Sequence, residues 1–127
     1  MTALDALVTV LDAGGKVVPD PERPKVLFPT GLRALVAEHR PALRALVIAY
    51  GHCTADVFRR AQVFGQQIKT WTESGRFGFP VLVLPGAPAP KADQCISCGA
   101  AITDGWRCMT CLEAVHIALT LATTAEE

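Results

Sequence analysis

Apolar residues at the start of the chain return at three- and four-residue steps, which is the spacing of one face of an α-helix. These residues are Leu4, Leu7, Val8 and Leu11. Thr2 stands where a helix N-cap belongs, and Gly14 with Gly15 provides the exit from the helix. The pattern therefore predicts a first helix over residues 3–13.

Two short β-prone runs follow this helix, at residues 16–18 and 25–28. Three of the six residues between the runs are prolines, so this segment is expected to turn rather than to extend either strand. The two runs are therefore predicted to form a small antiparallel hairpin.

Three more helices are predicted from the same periodicity. The second helix begins at Thr30 or Gly31, and the third begins near Pro41 and ends at Gly51. The fourth helix begins after Thr54, with apolar residues at helical spacing along its length. Those apolar residues are Val57, Phe58, Ala61, Phe64, Ile68 and Trp71.

Four cysteines form two C-x2-C pairs, Cys95 with Cys98 and Cys108 with Cys111, with nine residues between the pairs. A two-residue spacer lets both sulfurs of a pair turn toward one ion, so the pattern predicts a tetrahedral zinc site. Gly99 suits the turn beneath the metal because glycine tolerates positive φ. Four cysteine ligands leave no position for water or substrate, so one structural Zn2+ is expected.

The second cysteine pair runs directly into an apolar segment, so Cys108 and Cys111 are expected at the start of a final helix. Between the pairs, Asp104 and Gly105 predict a hairpin turn, as in a short zinc ribbon or treble-clef variant. Apolar residues surround most of the final helix, which predicts packing on the N-terminal unit or a homo-oligomer interface. His116 lies five residues past Cys111 and is interpreted as a surface or partly buried residue.

These elements predict an α+β fold with a C-terminal zinc module. An apolar run bounded by prolines at residues 80–85 predicts a short buried strand, and the alanine- and proline-rich segment after it predicts a linker. The predicted organisation is a helix-hairpin-helix-helix unit at 1–51, a central amphipathic helix and strand at 52–85, a linker at 86–94, and the zinc ribbon with its helix at 95–127.

The twelve lysines and arginines balance the twelve aspartates and glutamates, so the whole-chain charge favours neither a nucleic acid nor a membrane surface. Residues 33–76, however, carry seven basic and three acidic residues, a local charge of +4. The polar face of the fourth helix could contact phosphates and base edges, or it could simply be solvated. The candidate nucleic-acid contacts are Arg59, Arg60, Gln66 and Lys69. The zinc module is expected to contact protein instead, because four thiolates around Zn2+ carry a net negative charge that repels phosphate.

The fifth cysteine, Cys53, is predicted to be a free thiol. This cysteine usage fits a reducing compartment, and no apolar run approaches the length of a bilayer span, so we expect a cytoplasmic protein. His52 precedes Cys53, but side chains adjacent in sequence usually diverge, and no oxyanion motif accompanies the pair. A non-enzymatic role is therefore favoured.

The apolar residues and one glycine of the first fifty residues form an ordered set: Leu4, Leu7, Leu11, Gly14, Val17, Leu27, Phe28, Leu32, Leu35, Leu43 and Leu46. This set resembles the small N-terminal docking domains of hybrid peptide/polyketide synthetases, the TubC-like group. In that family the domain docks a terminal segment of a partner subunit, and the hairpin is the usual contact surface. The resemblance implies a docking module with Lys16, Arg23 and Lys25 as candidate contacts. Leu119, on the apolar final helix, is a further candidate.

The docking-like start, central helix and four-cysteine module together are also similar to small uncharacterised proteins of bacterial plasmids and phages. This resemblance supplies a context without an activity. We therefore expect a zinc-stabilised adaptor that docks a protein partner as an accessory factor of a bacterial mobile element. The alternatives are a nucleic-acid-associated factor in replication or transcription, using residues 33–76, and a cysteine-based redox or thiol enzyme.

Overall fold

A computed structural model describes the backbone of residues 1–71, 93–103 and 105–125 and the side chains of residues 1–65, 93–103 and 105–121. Over these residues the fold is α+β, as predicted, with five α-helices and one two-stranded antiparallel sheet. The chain divides into two compact units, residues 1–58 and 59–127. The predicted strand at 80–85 and most of the predicted linker lie outside the described residues.

Helix α1 (Ala3–Asp12) begins with a reciprocal pair of hydrogen bonds. The backbone N–H of Asp5 donates to Thr2 Oγ1, and the backbone N–H of Thr2 donates to Asp5 Oδ2, each at 3.1 Å. This capping box satisfies two backbone donors that the first turn would otherwise leave without partners. The buried face of α1 comprises Leu4, Ala6, Leu7, Val8 and Val10. The predicted first helix is thereby confirmed.

The hairpin consists of β1 (Lys16–Val18) and β2 (Lys25–Leu27), which pair antiparallel with Val17 opposite Val26. In the turn between them, the Asp20 carboxylate accepts a hydrogen bond of 2.9 Å from the backbone N–H two residues later. Such a side-chain bond mimics a backbone turn, which complements the restricted backbone of the neighbouring prolines. The predicted hairpin is confirmed.

A 3₁₀ turn (Thr30–Leu32) leads into α2 (Arg33–Glu38), so the second predicted helix is divided into two parts. Helix α3 (Arg40–Tyr50) carries Pro41 in its first turn, where the missing N–H costs no helical hydrogen bond. Helix α3 packs against α1 and β2. The core of the first unit includes Leu7, Val10, Val36, Leu43, Leu46 and Val47.

Two longer helices complete the described chain, α4 (Ala55–Trp71) and α5 (Met109–Ala125). Helix α4 begins after Thr54, whose carbonyl accepts a hydrogen bond of 3.1 Å from the backbone N–H of Val57. The apolar face predicted for α4 is buried at Val57, Phe58, Ala61 and Phe64. In α5 the buried residues are Cys111, Ala114, Val115, Ile117 and Ala118. The boundary between the two units falls within α4.

Candidate metal centre and docking groove

A tight turn brings the first cysteine pair together. The backbone N–H of Cys95 donates to the Ala100 carbonyl at 2.8 Å, and the N–H of Gly99 donates to the Cys95 carbonyl at 2.9 Å. Gly99 has φ +79°, a left-handed conformation that glycine adopts without a steric penalty. Just outside the turn, Gln94 and Ala101 form an antiparallel bridge. We refer to residues 94–101 as the knuckle.

Backbone hydrogen bonds pair the described residues of this module around the first cysteine pair. The hairpin expected around Asp104 and Gly105 stays a prediction, because Asp104 lies outside the described residues. The N–H of Ile102 donates to the Asp93 carbonyl, and the N–H of Ile96 donates to the Trp106 carbonyl, both at 2.9 Å. The antiparallel pairing therefore spans the first cysteine pair, and the returning segment bonds to the knuckle. These bonds give partners to knuckle N–H groups that would otherwise be buried without one.

The second cysteine pair lies at the N-terminus of α5, as predicted. The Cys108 carbonyl accepts a hydrogen bond of 2.9 Å from the N–H of Leu112, so Cys108 occupies the N-cap position. Cys111 is fully buried in the first turn of the helix. The positive end of the helix dipole therefore lies next to both sulfurs, where it would stabilise the negative charge of a metal-bound sulfur.

All four sulfur atoms of the predicted set, Cys95, Cys98, Cys108 and Cys111, form one cluster. They lie within 4.8 Å of one another, and the Cys98 and Cys108 sulfurs are 3.8 Å apart. A tetrahedral zinc ion with Zn–S bonds of about 2.3 Å has sulfur–sulfur separations of about 3.8 Å. None of the four is in a disulfide. The cluster thus has the donors and the size to hold one metal ion such as zinc.

Three of these thiols differ in how readily they lose a proton before any metal binds. Burial opposes ionisation of Cys95, but backbone N–H groups of Cys108, Cys98 and Ser97 outweigh it and lower the pKa of Cys95 to about 6. Burial raises the pKa of Cys98. Burial, reinforced by the neighbouring sulfurs, also raises the pKa of Cys111. A divalent ion would have to displace the protons of these last two thiols.

Two arginines lie beside the cluster. Arg60 Nη1, on α4, donates to Cys111 Sγ at 3.1 Å, across a sequence separation of 51 residues. Arg107 Nε donates to Ser97 Oγ at 3.1 Å, and Ser97 is a buried residue inside the knuckle. Sequence reasoning predicted neither contact. For Arg60, the helical pattern indicated only a possible nucleic-acid face, and no local pattern connects Arg60 to Cys111.

The remaining nucleic-acid candidates are distributed along α4. Arg59 is exposed, whereas Arg60 is partly buried and directed at the cluster. The side chains of Gln66 and Lys69 lie outside the described residues. Nucleic-acid binding by this segment stays a prediction.

An apolar groove of about 320 Å³ lies in the first unit, between the hairpin and helices α2 and α3. Its apolar lining includes Val26, Phe28, Val36, Leu43 and Val47. Lys25, Arg40 and Arg44 line the same groove, and all three are exposed. Among the described residues, none of these three side chains has an acidic partner. The groove therefore combines an apolar floor with a basic rim.

The docking candidates chosen from the sequence only partly coincide with this groove. Lys25 lines it, while Lys16 and Arg23 are exposed on the hairpin without lining it. On α5, Leu112 and Leu119 are 49% and 42% exposed, so part of the helix presents apolar surface to solvent. A homo-oligomer interface at this surface stays a prediction.

The other candidate chemistry concerns His52, Cys53 and His116. The expectation that adjacent side chains diverge is wrong for the first two, because Cys53 Sγ lies 3.7 Å from His52 Nε2. His116 is exposed on α5, in agreement with its interpretation as a surface residue.

Helices in the described part of the chain all fall short of the combined length and apolarity that crossing a membrane requires. Comparisons with protein-family models, with curated proteins and with solved structures find no match to this chain.

Proposed function

We propose that the protein is a non-enzymatic adaptor, stabilised by one zinc ion, whose first unit docks an acidic segment of a partner protein. The observation that carries this proposal is the groove with an apolar floor and a basic rim. The further suggestion that the adaptor serves a bacterial mobile element is supported by the sequence resemblance alone.

Zinc is the metal that the four-cysteine cluster suits best. Four sulfur donors in tetrahedral arrangement select zinc or an iron–sulfur centre over harder ions such as Mg2+ or Ca2+. The separation of 3.8 Å between the Cys98 and Cys108 sulfurs matches a single tetrahedral ion. With four protein ligands the ion has no open position, so its role is to stabilise the fold.

The metal assignment is tested by elemental analysis of protein purified without added metal. We expect about one zinc per chain. Cys98→Ser should lose the metal and the cooperative unfolding of the second unit, because three remaining thiolates bind zinc far more weakly. Cys53→Ser is the matched control, and it should keep both. Protein that contains no stoichiometric metal, or a Cys98→Ser variant as heat-resistant as the parent, would contradict the assignment.

The groove favours a protein segment with both apolar and acidic side chains. Apolar side chains would be buried against residues such as Val36 and Leu43, while carboxylates would meet Lys25, Arg40 and Arg44. Charge complementarity of this kind increases the association rate and rejects basic segments. The adjacent hairpin has two strands of only three residues each, so side-chain contacts are expected to outweigh strand pairing.

The docking proposal is tested with a short labelled peptide rich in glutamate and leucine. We expect binding that shifts the amide resonances of Val26 and Val36 and weakens by about tenfold or more in an Arg40→Glu, Arg44→Glu double variant. Arg33→Glu is the control, because Arg33 is exposed but does not line the groove. A peptide with lysine in place of glutamate should not bind. The proposal fails if the acidic peptide shifts no groove resonance.

The same titration with single- and double-stranded oligonucleotides examines the nucleic-acid alternative. Binding through phosphates would weaken steeply with added salt. It should also be lost in Arg59→Glu, since Arg59 is an exposed candidate contact. Salt-dependent binding of this kind without peptide binding would favour the alternative function over the proposed one.

A further inference from the structure

The contact between Arg60 and Cys111 lies within the second unit and joins two helices distant in sequence. The Arg60 guanidinium donates to the Cys111 sulfur at 3.1 Å, and Cys111 is fully buried. A hydrogen bond from a cation to a thiolate is stronger than one between neutral groups. The Arg60 guanidinium therefore interacts electrostatically with the Cys111 sulfur, in addition to shielding the sulfur from solvent.

A second guanidinium lies beside the first cysteine pair. Arg107 is partly buried, and its bond of 3.1 Å to Ser97 fixes its position beside the knuckle. The positive charge of Arg107 interacts favourably with Cys95 and Cys111, and that of Arg60 with Cys111 and Cys98. Both arginines thus lie close to the same sulfur cluster.

A divalent ion bound by four thiolates carries a net charge of minus two, and burying such a charge is costly unless it is compensated. Two guanidinium groups supply the matching positive charge. We propose that Arg60 is a positioning residue of the metal centre, which orients the Cys111 sulfur and, with Arg107, neutralises the four-thiolate site. This inference rests on the proposed metal binding.

Loss of Arg60 should therefore weaken metal binding without removing a ligand. Partners of metal ligands typically contribute about ten- to hundredfold to metal affinity. Lysine at position 60 would retain a positive charge but not the planar fork of donors, so it should recover only part of this loss. Glutamine would retain a hydrogen-bond donor without the charge.

The test compares Arg60→Ala, Arg60→Gln and Arg60→Lys with the parent chain, and Arg59→Ala serves as the matched control. Zn2+ affinity is measured by competition with a chromophoric chelator, and Co2+ is used as a spectroscopic probe. We expect a loss of about ten- to hundredfold for Ala, a smaller loss for Lys, and less than about a twofold change for Arg59→Ala. The thiolate-to-Co2+ charge-transfer band should move to lower energy in Arg60→Ala, because a sulfur without its donor is more electron-rich. It should move less far in the same direction in Arg60→Gln, because a neutral donor withdraws less electron density from the sulfur than a cationic one.

Parent-like Zn2+ affinity together with an unshifted Co2+ band in Arg60→Gln would overturn the inference. Arg60→Gln also tests the role of Arg60 if Arg60→Ala does not fold. A parent chain that binds neither Zn2+ nor Co2+ would overturn the metal assignment itself, and with it this inference. The two failures are distinguishable, because only the second affects the parent.

Discussion

The backbone N–H of Ile96 donates a hydrogen bond of 2.9 Å to the carbonyl of Trp106. This bond connects the knuckle, which carries the first cysteine pair, to the segment that leads into the second pair. Ile96 itself is 3% exposed, whereas the Trp106 side chain is 53% exposed. Ile96 therefore contributes both a backbone donor and a buried side chain to this module, and Trp106 contributes the backbone acceptor.

Ile96→Ala should destabilise the second unit by about 2–5 kcal/mol, because it removes a buried side chain and leaves a cavity under the knuckle. Trp106→Ala keeps the backbone acceptor and should cost less than about 1 kcal/mol. Thermal unfolding of the zinc-loaded protein measures both effects. Equal losses in the two variants would show that the exposed indole contributes as much as the buried isoleucine.

Zinc binding should release about two to three protons per chain near pH 7.5. Cys98 and Cys111, whose pKa values are raised, still carry protons at this pH, whereas Cys95, with its pKa lowered to about 6, is already ionised. The apparent affinity should therefore rise with pH, and more steeply below about pH 6, where Cys95 also holds a proton. An indicator titration in weak buffer counts the protons. Release of four protons near pH 7.5 would contradict this ionisation of Cys95.

Gly15→Ala should destabilise the first unit by about 1–3 kcal/mol. A Cβ atom at this position would lie 2.6 Å from the carbonyl oxygen of Leu27, closer than backbone atoms can tolerate without shifting. Gly31→Ala is the matched control, because a Cβ there would meet no atom within 4 Å. Urea denaturation followed by circular dichroism compares the two. A Gly15→Ala protein as stable as Gly31→Ala would mean that the hairpin can move away from α1 at little cost.

Leu7→Ala should cost about 2–5 kcal/mol, since Leu7 is fully buried on α1. Ile48→Ala removes a similar side chain from α3, but Ile48 is 66% exposed, so we expect a change within about 0.5 kcal/mol. The same urea denaturation provides the measurement. Comparable losses at both positions would indicate that the exposed isoleucine is covered in solution, for example by a second copy of the chain.

Local patterns in the sequence were sufficient for the parts of the structure that depend on neighbouring residues. Thr2 and Asp5 are three residues apart and cap α1, and the two C-x2-C pairs determine the sulfur cluster. The contact between Arg60 and Cys111 depends on how α4 and α5 are arranged in space, and no periodicity reports that arrangement. Sequence reasoning also placed a hairpin at residues 104–105 of the metal module, which stays a prediction because Asp104 lies outside the described residues. The antiparallel bridge between Gln94 and Ala101, which spans the first cysteine pair, was not predicted from the sequence.

The position of Cys108 and Cys111 in the first turn of α5 has a consequence for how that helix forms. Nucleation is the unfavourable step of helix formation, because one turn must be fixed before hydrogen bonds repay the lost entropy. An ion that holds both sulfurs fixes this turn directly, and the seventeen residues of α5 can then extend from it. Metal binding would in this way stabilise the start of α5, and removal of the ion would let the helix fray from its first turn.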